Sequence, residues 1–138
     1  MKPTTEFTFP DNVRRAFSDG DCWVLAQAMY EEAMYPIVTA TGTSGMWIHA
    51  ANLLPDGNIV DVFGVWNADT WVNHWQADSD RDTYISSLYG TIRMAVWGES
   101  EFQDELDMEG FSPNFSESDD ADTYAASIVK LIEGTTNE

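Results

Sequence analysis

Apolar residues recur at the spacing of a helix in the stretch that follows Gly20. They occupy positions 22, 25, 26, 29, 30 and 33, which lie on one face of a helix. Further apolar residues between them widen this face, so the pattern predicts a helix that is buried on most sides. Asp21 is predicted to be its N-cap, and Pro36 is predicted to end it, because the residue before a proline avoids the helical region.

A second pattern, in which apolar and polar residues alternate, predicts a β-hairpin in the middle of the chain. Its strands are predicted over residues 46–54 and 58–63. The connecting Pro55-Asp56-Gly57 fits a three-residue loop, since proline suits the second position of a type I turn and glycine the left-handed position that follows. With this loop, His49 and Asp61 share a face and lie diagonal to each other. A two-residue loop would put them on opposite faces.

The remaining patterns complete a single α+β domain over residues 1–138, with a core over about residues 11–98. Helices are predicted over 11–17, 69–76 and about 120–133, and strands over 36–40 and 91–97, while 84–89 is ambiguous. The segment over about 99–119 is dense in acidic residues and has no basic one, so a surface loop is predicted there. The helix that carries Cys22 is expected to pack on an antiparallel sheet.

The charge of the chain restricts its partners. Acidic residues outnumber basic ones by 24 to 6, and the net charge is −18. Because phosphate binding needs lysine and arginine, this composition argues against direct binding to nucleic acid. Three explanations stay open: a solubilising surface, a host that lives in high salt, or a surface that imitates nucleic acid and binds a basic protein partner.

The sequence also predicts a cytoplasmic protein without membrane contact. No apolar run has the length of a membrane span, and residues 1–10 lack the apolar core of a signal peptide. The single cysteine excludes an intramolecular disulfide, which fits a reducing compartment.

The single cysteine, Cys22, falls in the first turn of the predicted buried helix. Backbone N–H groups and the helix dipole there stabilise a thiolate, which is how a cysteine nucleophile is activated. The competing interpretation is a small buried hydrophobe. His49 and Asp61 supply the other parts of a thiol acyl-transfer site, a base that takes the thiol proton and a carboxylate that orients the imidazole.

Trp23 and Trp47 are expected either to belong to the core or to line a substrate cleft. No cofactor is expected. No metal is expected either, since one cysteine and two histidines that are distant in sequence do not form a zinc-ligand pattern.

Two segments resemble a known group of enzymes. Gly-Asp-Cys-Trp-Val-Leu-Ala, over residues 20–26, is similar to the nucleophile segment of transglutaminases and papain-like cysteine proteases. Trp-Ile-His-Ala over residues 47–50, then Leu-Pro-Asp-Gly over 54–57 and Asp61, resembles the hairpin of transglutaminase-like domains. The resemblance implies a minimal papain-like α+β core and a thioester intermediate, with Cys22 as nucleophile, His49 as general base and Asp61 as orienting carboxylate.

One part of the papain-like pattern is missing. Papain-like proteases place a glutamine a few residues before the cysteine to complete the oxyanion hole, but residues 15–18 contain none. The hole would need the Cys22 backbone N–H and a second donor. A protein or small amide or ester is therefore a better-supported substrate class than general proteolysis.

Three functional hypotheses follow. The first is a small cysteine-dependent acyl-transfer enzyme, namely a hydrolase, deamidase or transferase. The second is a non-catalytic acidic binding or inhibitor protein on a papain-like scaffold. The third is a structural domain in which the three residues coincide by chance.

Overall fold

Six helices surround one sheet in the computed structural model, which describes residues 2–136. They are α1 (Asp11–Asp19), α2 (Cys22–Ala33), α3 (Ala68–Ser79), α4 (Thr83–Tyr89), α5 (Glu99–Glu109) and α6 (Ala121–Thr136), with a 3-10 turn over Ser116–Asp120 before α6. The predicted C-terminal helix is confirmed, and the ambiguous segment 84–89 is helical. Within the described residues, no helix is both long and apolar enough to cross a membrane.

The strands form an open antiparallel sheet in the order β1-β5-β4-β3-β2-β6. They are β1 (Thr5–Glu6), β2 (Ile37–Gly42), β3 (Trp47–Leu53), β4 (Ile59–Asp61), β5 (Gly64–Trp66) and β6 (Ile92–Trp97). The α+β class and the antiparallel sheet are therefore confirmed. No pattern predicts β1 or β5, because a strand of two or three residues is too short to show alternation.

Helices cover both faces of the sheet. On one face, α1, α2 and α6 share a core with it that includes Met29, Val60 and Ile128. On the other face, α3 packs Trp71 in one cluster with Ile59. Ile59 and Val60 point to opposite sides because side chains alternate along a strand.

The register predicted for the hairpin is confirmed. Asn52 lies opposite Val60 in the pairing of β3 with β4. The Leu54 N–H donates to the Asn58 carbonyl oxygen at 2.8 Å across the three-residue loop. Gly57 has a φ of +91°, the left-handed conformation that favours glycine.

The return strand is shorter than predicted. β4 ends at Asp61, and the chain reverses through residues 62–63 into β5, so that Asp61 pairs with Gly64. The N–H of Phe63 donates to Asp61 Oδ1 at 3.0 Å and holds this tight reversal. The prediction of one strand over 58–63 was wrong because residues 62 and 63 are as apolar as strand residues but form a turn.

The prediction of a loop over the whole acidic segment was also wrong, because α5 occupies its first half. Phe102 and Leu106 are one helical turn apart, and both are buried in a cluster with residues of α2 and the sheet. The Gly98 N–H donates to Glu101 Oε1 at 3.0 Å, which satisfies one backbone donor at the start of α5. The i, i+4 spacing of the two apolar residues was the helix signal, and the density of charge hid it.

Candidate active site

His49 of β3 and Asp61 of β4 meet on the sheet face that α3 covers. His49 Nε2 lies 3.2 Å from Asp61 Oδ2, and their side chains are 0% and 2% exposed. With water excluded, this contact is electrostatically stronger than it would be on the surface. The hairpin register therefore brings the predicted base and carboxylate together.

Asp61 is held by three further donors. Its Oδ1 accepts from the Trp66 indole N–H at 2.9 Å and from the Phe63 backbone N–H at 3.0 Å. Its Oδ2 accepts from the Trp71 indole N–H at 3.3 Å as well as from His49. These bonds fix the carboxylate and stabilise its charge. No sequence pattern predicts these roles of Trp66 and Trp71, because only the fold brings their indoles to Asp61.

The imidazole of His49 is fixed by stacking as well. The ring of Trp75 lies parallel to it within 22°, with the ring centroids 4.2 Å apart. The other ring nitrogen, Nδ1, is buried and has no hydrogen-bond partner within the described residues. Because Nε2 is occupied by Asp61, Nδ1 is the nitrogen left to exchange a proton with another group.

The pKa of His49 shows how closely the three groups are coupled. Burial by itself lowers this pKa, because it disfavours the charged imidazolium. The negative charge of Cys22, the hydrogen bond with Asp61 and the charge of Asp61 outweigh burial, and the pKa rises from 6.5 to about 9. The surroundings therefore favour an imidazolium at neutral pH.

Cys22 contacts the edge of β3 at the position that β4 leaves unpaired. Extending the register of β3 and β4 would put Val62 opposite Ala50, but the chain has already turned away there. Cys22 Sγ takes the vacant position and accepts from the Ala50 N–H at 3.4 Å. The first residue of α2, Cys22, is thus fixed beside the strand that carries His49.

Asp21 occupies the predicted N-cap position of α2, but its side chain makes no capping hydrogen bond to the helix. Its carboxylate is fully buried and faces the segment before α6. It accepts from the backbone N–H groups of Asn114 and Phe115, both at 2.9 Å from Oδ2, and from the Ser118 hydroxyl at 2.6 Å. The predicted cap position is confirmed, but the side chain does not cap the helix because these three donors, more than ninety residues away in sequence, engage it instead.

Trp23 and Trp47 belong to a core cluster that also contains Cys22. Trp23 is 8% exposed and Trp47 is half-buried. The ring of Phe111 packs against both, with centroid distances of 6.0 Å and 5.4 Å. Phe111 falls in the segment that was predicted to be a surface loop, so this contact was not predicted from the sequence.

The three predicted catalytic residues lie in a closed site. Cys22 is 6% exposed and Asp61 is 5% exposed. A cleft of about 600 Å³ lies nearby, lined by Ile48, which precedes His49, and by Trp75, which stacks on it. Within the described residues, no group of three or more histidine, cysteine or acidic side chains is arranged to hold a metal ion.

Comparison with known proteins gives no match: no family model, no curated protein and no solved structure matches this chain. The likeness to transglutaminases and papain-like proteases therefore stays a prediction from the motifs.

Proposed function

We propose that this chain is a cysteine-dependent acyl-transfer enzyme in which Cys22, His49 and Asp61 act together. The observation that supports it best is the pair on the hairpin. The buried Asp61 carboxylate accepts hydrogen bonds from three other donors and also contacts His49 Nε2. His49 Nδ1 has no hydrogen-bond partner in the described part of the chain. Most buried polar side-chain atoms have a hydrogen-bond partner, so the unpaired Nδ1 supports a chemical role for His49.

The chemistry follows from these positions. The Cys22 thiolate attacks the carbonyl carbon of an amide or ester, and its electron pair forms the new S–C bond. The Val24 and Leu25 N–H groups donate to the Asp21 carbonyl oxygen, so the backbone N–H groups of Cys22 and Trp23 at the start of α2 are the ones that can stabilise the oxyanion. His49 then gives its proton to the leaving amine or alkoxide as the C–N or C–O bond breaks, which leaves a thioester.

The second half of the reaction reverses these roles. His49, now neutral, takes a proton from water or from an acceptor amine as its oxygen or nitrogen attacks the thioester carbon. The C–S bond breaks and the thiolate returns beside the imidazolium. Asp61 stays ionised throughout and stabilises the imidazolium through Nε2.

The experiment is the rate of Cys22 alkylation by iodoacetamide as a function of pH. Cys22 is the only cysteine, so the reaction, in which sulfur displaces iodide, reports on one site. We expect the wild-type protein to react at pH 7 at least about tenfold faster than His49→Ala, which should label rapidly only near the ordinary thiol pKa of about 8.5.

His74→Ala is the matched control, because His74 is the second of the two histidines in the chain and lies against Trp66 and Trp75, not Cys22. It should label like the wild-type protein. Equal rates for wild type and His49→Ala at pH 7 would overturn the proposal. If the rates differ as expected, p-nitrophenyl esters should be tested as substrates. A burst of one p-nitrophenolate released per Cys22 would report formation of the acyl-enzyme.

A non-catalytic binding protein is the second candidate, and the surface of α5 supports it. Its six carboxylates lie at exposed or half-exposed positions, and within residues 2–136 no salt bridge involves them. Such a face suits a basic protein partner. This candidate predicts binding of that partner that weakens steeply with salt and survives Cys22→Ser, whereas binding that is indifferent to salt would exclude it.

A further inference from the structure

The segment that joins α5 to the 3-10 turn crosses the N-terminal end of α2. We call residues 110–118 the strap. A Cβ atom added to Gly20 would lie 3.4 Å from the ring of Phe115, so the strap lies directly on the residues that precede Cys22. It is therefore part of the wall around the candidate nucleophile.

One end of the strap is firmly anchored. Asn114, Phe115 and Ser118 all donate to the buried carboxylate of Asp21, at distances of 2.6–3.0 Å. Hydrogen bonds to a buried charge are among the stronger ones in proteins. This end of the strap is expected to keep its place when the other end moves.

The other end is held by the ring of Phe111 and by its backbone N–H, which donates to the Leu106 carbonyl oxygen at 3.1 Å. Phe111 packs against Trp23 at 6.0 Å and 39° and against Trp47 at 5.4 Å and 42°, and it remains 43% exposed. Before it, Gly110 ends α5 in the left-handed conformation with a φ of +73°. A ring that is nearly half exposed can leave its contacts more easily than a core side chain.

We propose that Trp23 and Trp47 form an aromatic subsite beside Cys22, which takes an aromatic side chain from the acyl part of the substrate and which Phe111 fills when no substrate is bound. The inference rests on the proposed function. The packing of Phe111 shows that the two indoles accept a phenyl ring in a tilted geometry that aromatic pairs favour.

Two further observations support this subsite. Trp23 Nε1 is buried and has no hydrogen-bond partner in the described part of the chain, so a carbonyl oxygen of a ligand could satisfy it. Cys22 is only 6% exposed with the strap in place, so a substrate has to displace part of this wall. A substrate ring that replaces Phe111 would couple binding to opening, because both compete for the same two indoles.

The first experiment measures access to Cys22 by iodoacetamide labelling at pH 9.5, where an ordinary thiol is ionised with or without a base. Phe111→Ala should react about tenfold faster than wild type, the population shift expected from losing aromatic contacts. Met108→Ala is the matched control, because Met108 is 83% exposed and close in sequence. It should react like wild type. Equal rates for Phe111→Ala and wild type would overturn the proposal that Phe111 restricts access to Cys22.

The second experiment measures the preference of the subsite in the Phe111→Ala protein. N-benzyl iodoacetamide should label Cys22 about tenfold faster than N-butyl iodoacetamide, because only the first carries a ring. Adding Trp47→Ala should abolish this preference, and adding Trp47→Phe should keep most of it. A preference that survives Trp47→Ala, or its absence from Phe111→Ala itself, would overturn the subsite.

The outcomes of these two experiments can be distinguished from a failure of the proposed function. If Cys22 is not activated, the dependence on His49 at pH 7 is missing, while the effects of Phe111 and Trp47 at pH 9.5 persist. If the subsite is wrong, the dependence on His49 persists and the ring preference is absent.

Discussion

Asp61→Asn separates the charge of the carboxylate from its shape. Asparagine keeps one oxygen and replaces the other with an NH2 group, which donates. With the NH2 group at the Oδ1 position, both Phe63 N–H and the Trp66 indole would face a donor. With the NH2 group at the Oδ2 position, only the Trp71 indole N–H would face a donor, because His49 Nε2 can become an acceptor. The second orientation leaves fewer donors unpaired, so we expect it.

The consequence for stability is one unpaired indole N–H and the loss of charge from three hydrogen bonds. An unsatisfied buried donor costs about 1–3 kcal/mol, and bonds to a charged acceptor are stronger than neutral ones. We therefore expect the free energy of unfolding to fall by about 2–4 kcal/mol. Urea denaturation measures this at pH 7.

The consequence for chemistry is the tautomer of His49. If the new NH2 group donates to Nε2, the imidazole proton moves to Nδ1, and the nitrogen left for Cys22 can no longer take its proton. Iodoacetamide labelling at pH 7 should fall at least about tenfold, toward the rate of His49→Ala, because an unactivated thiol of pKa about 8.5 is only slightly ionised at this pH.

Asp56→Asn makes the same substitution at the exposed loop of the same hairpin and should leave both quantities near wild type. Wild-type labelling in Asp61→Asn at pH 7 would refute the role given to Asp61.

Two other predictions follow from contacts of the candidate site. The pKa of His49, about 9, should fall in Cys22→Ser, because the negative charge of Cys22 is the largest cause that raises it; NMR titration of the His49 ring measures this. Since the folded pKa is raised, the stability that the imidazolium contributes is complete below pH 6.5 and is lost as pH rises through about 9. An unchanged pKa in the variant would contradict the coupling. Asn52→Ala should lower the free energy of unfolding by about 2–4 kcal/mol, because the Asn52 amide donates to the carbonyl oxygen of Ala26 within α2 at 2.9 Å and to that of Tyr35 after α2 at 3.1 Å. The exposed Asn73→Ala is the control in urea denaturation, and similar losses in both variants would count against this role of Asn52.

Local signals in the sequence predict the elements that place the candidate site. The spacing of apolar residues after Gly20 predicts α2, and Pro55-Asp56-Gly57 predicts the loop that sets the register of His49 and Asp61. Both depend on residues close together in the chain, so one sequence is enough to show them.

The surroundings of the site could not be predicted in this way. The two indole donors to Asp61 come from β5 and α3, and the donors to Asp21 are more than ninety residues away in sequence. A buried carboxylate and a surface carboxylate have the same letter in the sequence, and only the fold decides how many donors surround it. The strap was missed for a related reason, since Phe111 stands among acidic residues and only its contacts with Trp23 and Trp47 reveal its position.

The early end of β4 at Asp61, which leaves Ala50 without a strand partner on that side, affects the choice of an inactive variant of this protein. Cys22 Sγ accepts the hydrogen bond from the Ala50 N–H that a longer β4 would otherwise accept. The sulfur is therefore a structural acceptor as well as the candidate nucleophile. Cys22→Ala would leave that N–H buried without a partner, at about 1–3 kcal/mol, and would mix loss of chemistry with loss of stability. Cys22→Ser keeps an oxygen acceptor beside Ala50. It is therefore the better variant for trapping an unreacted substrate or an intact partner complex.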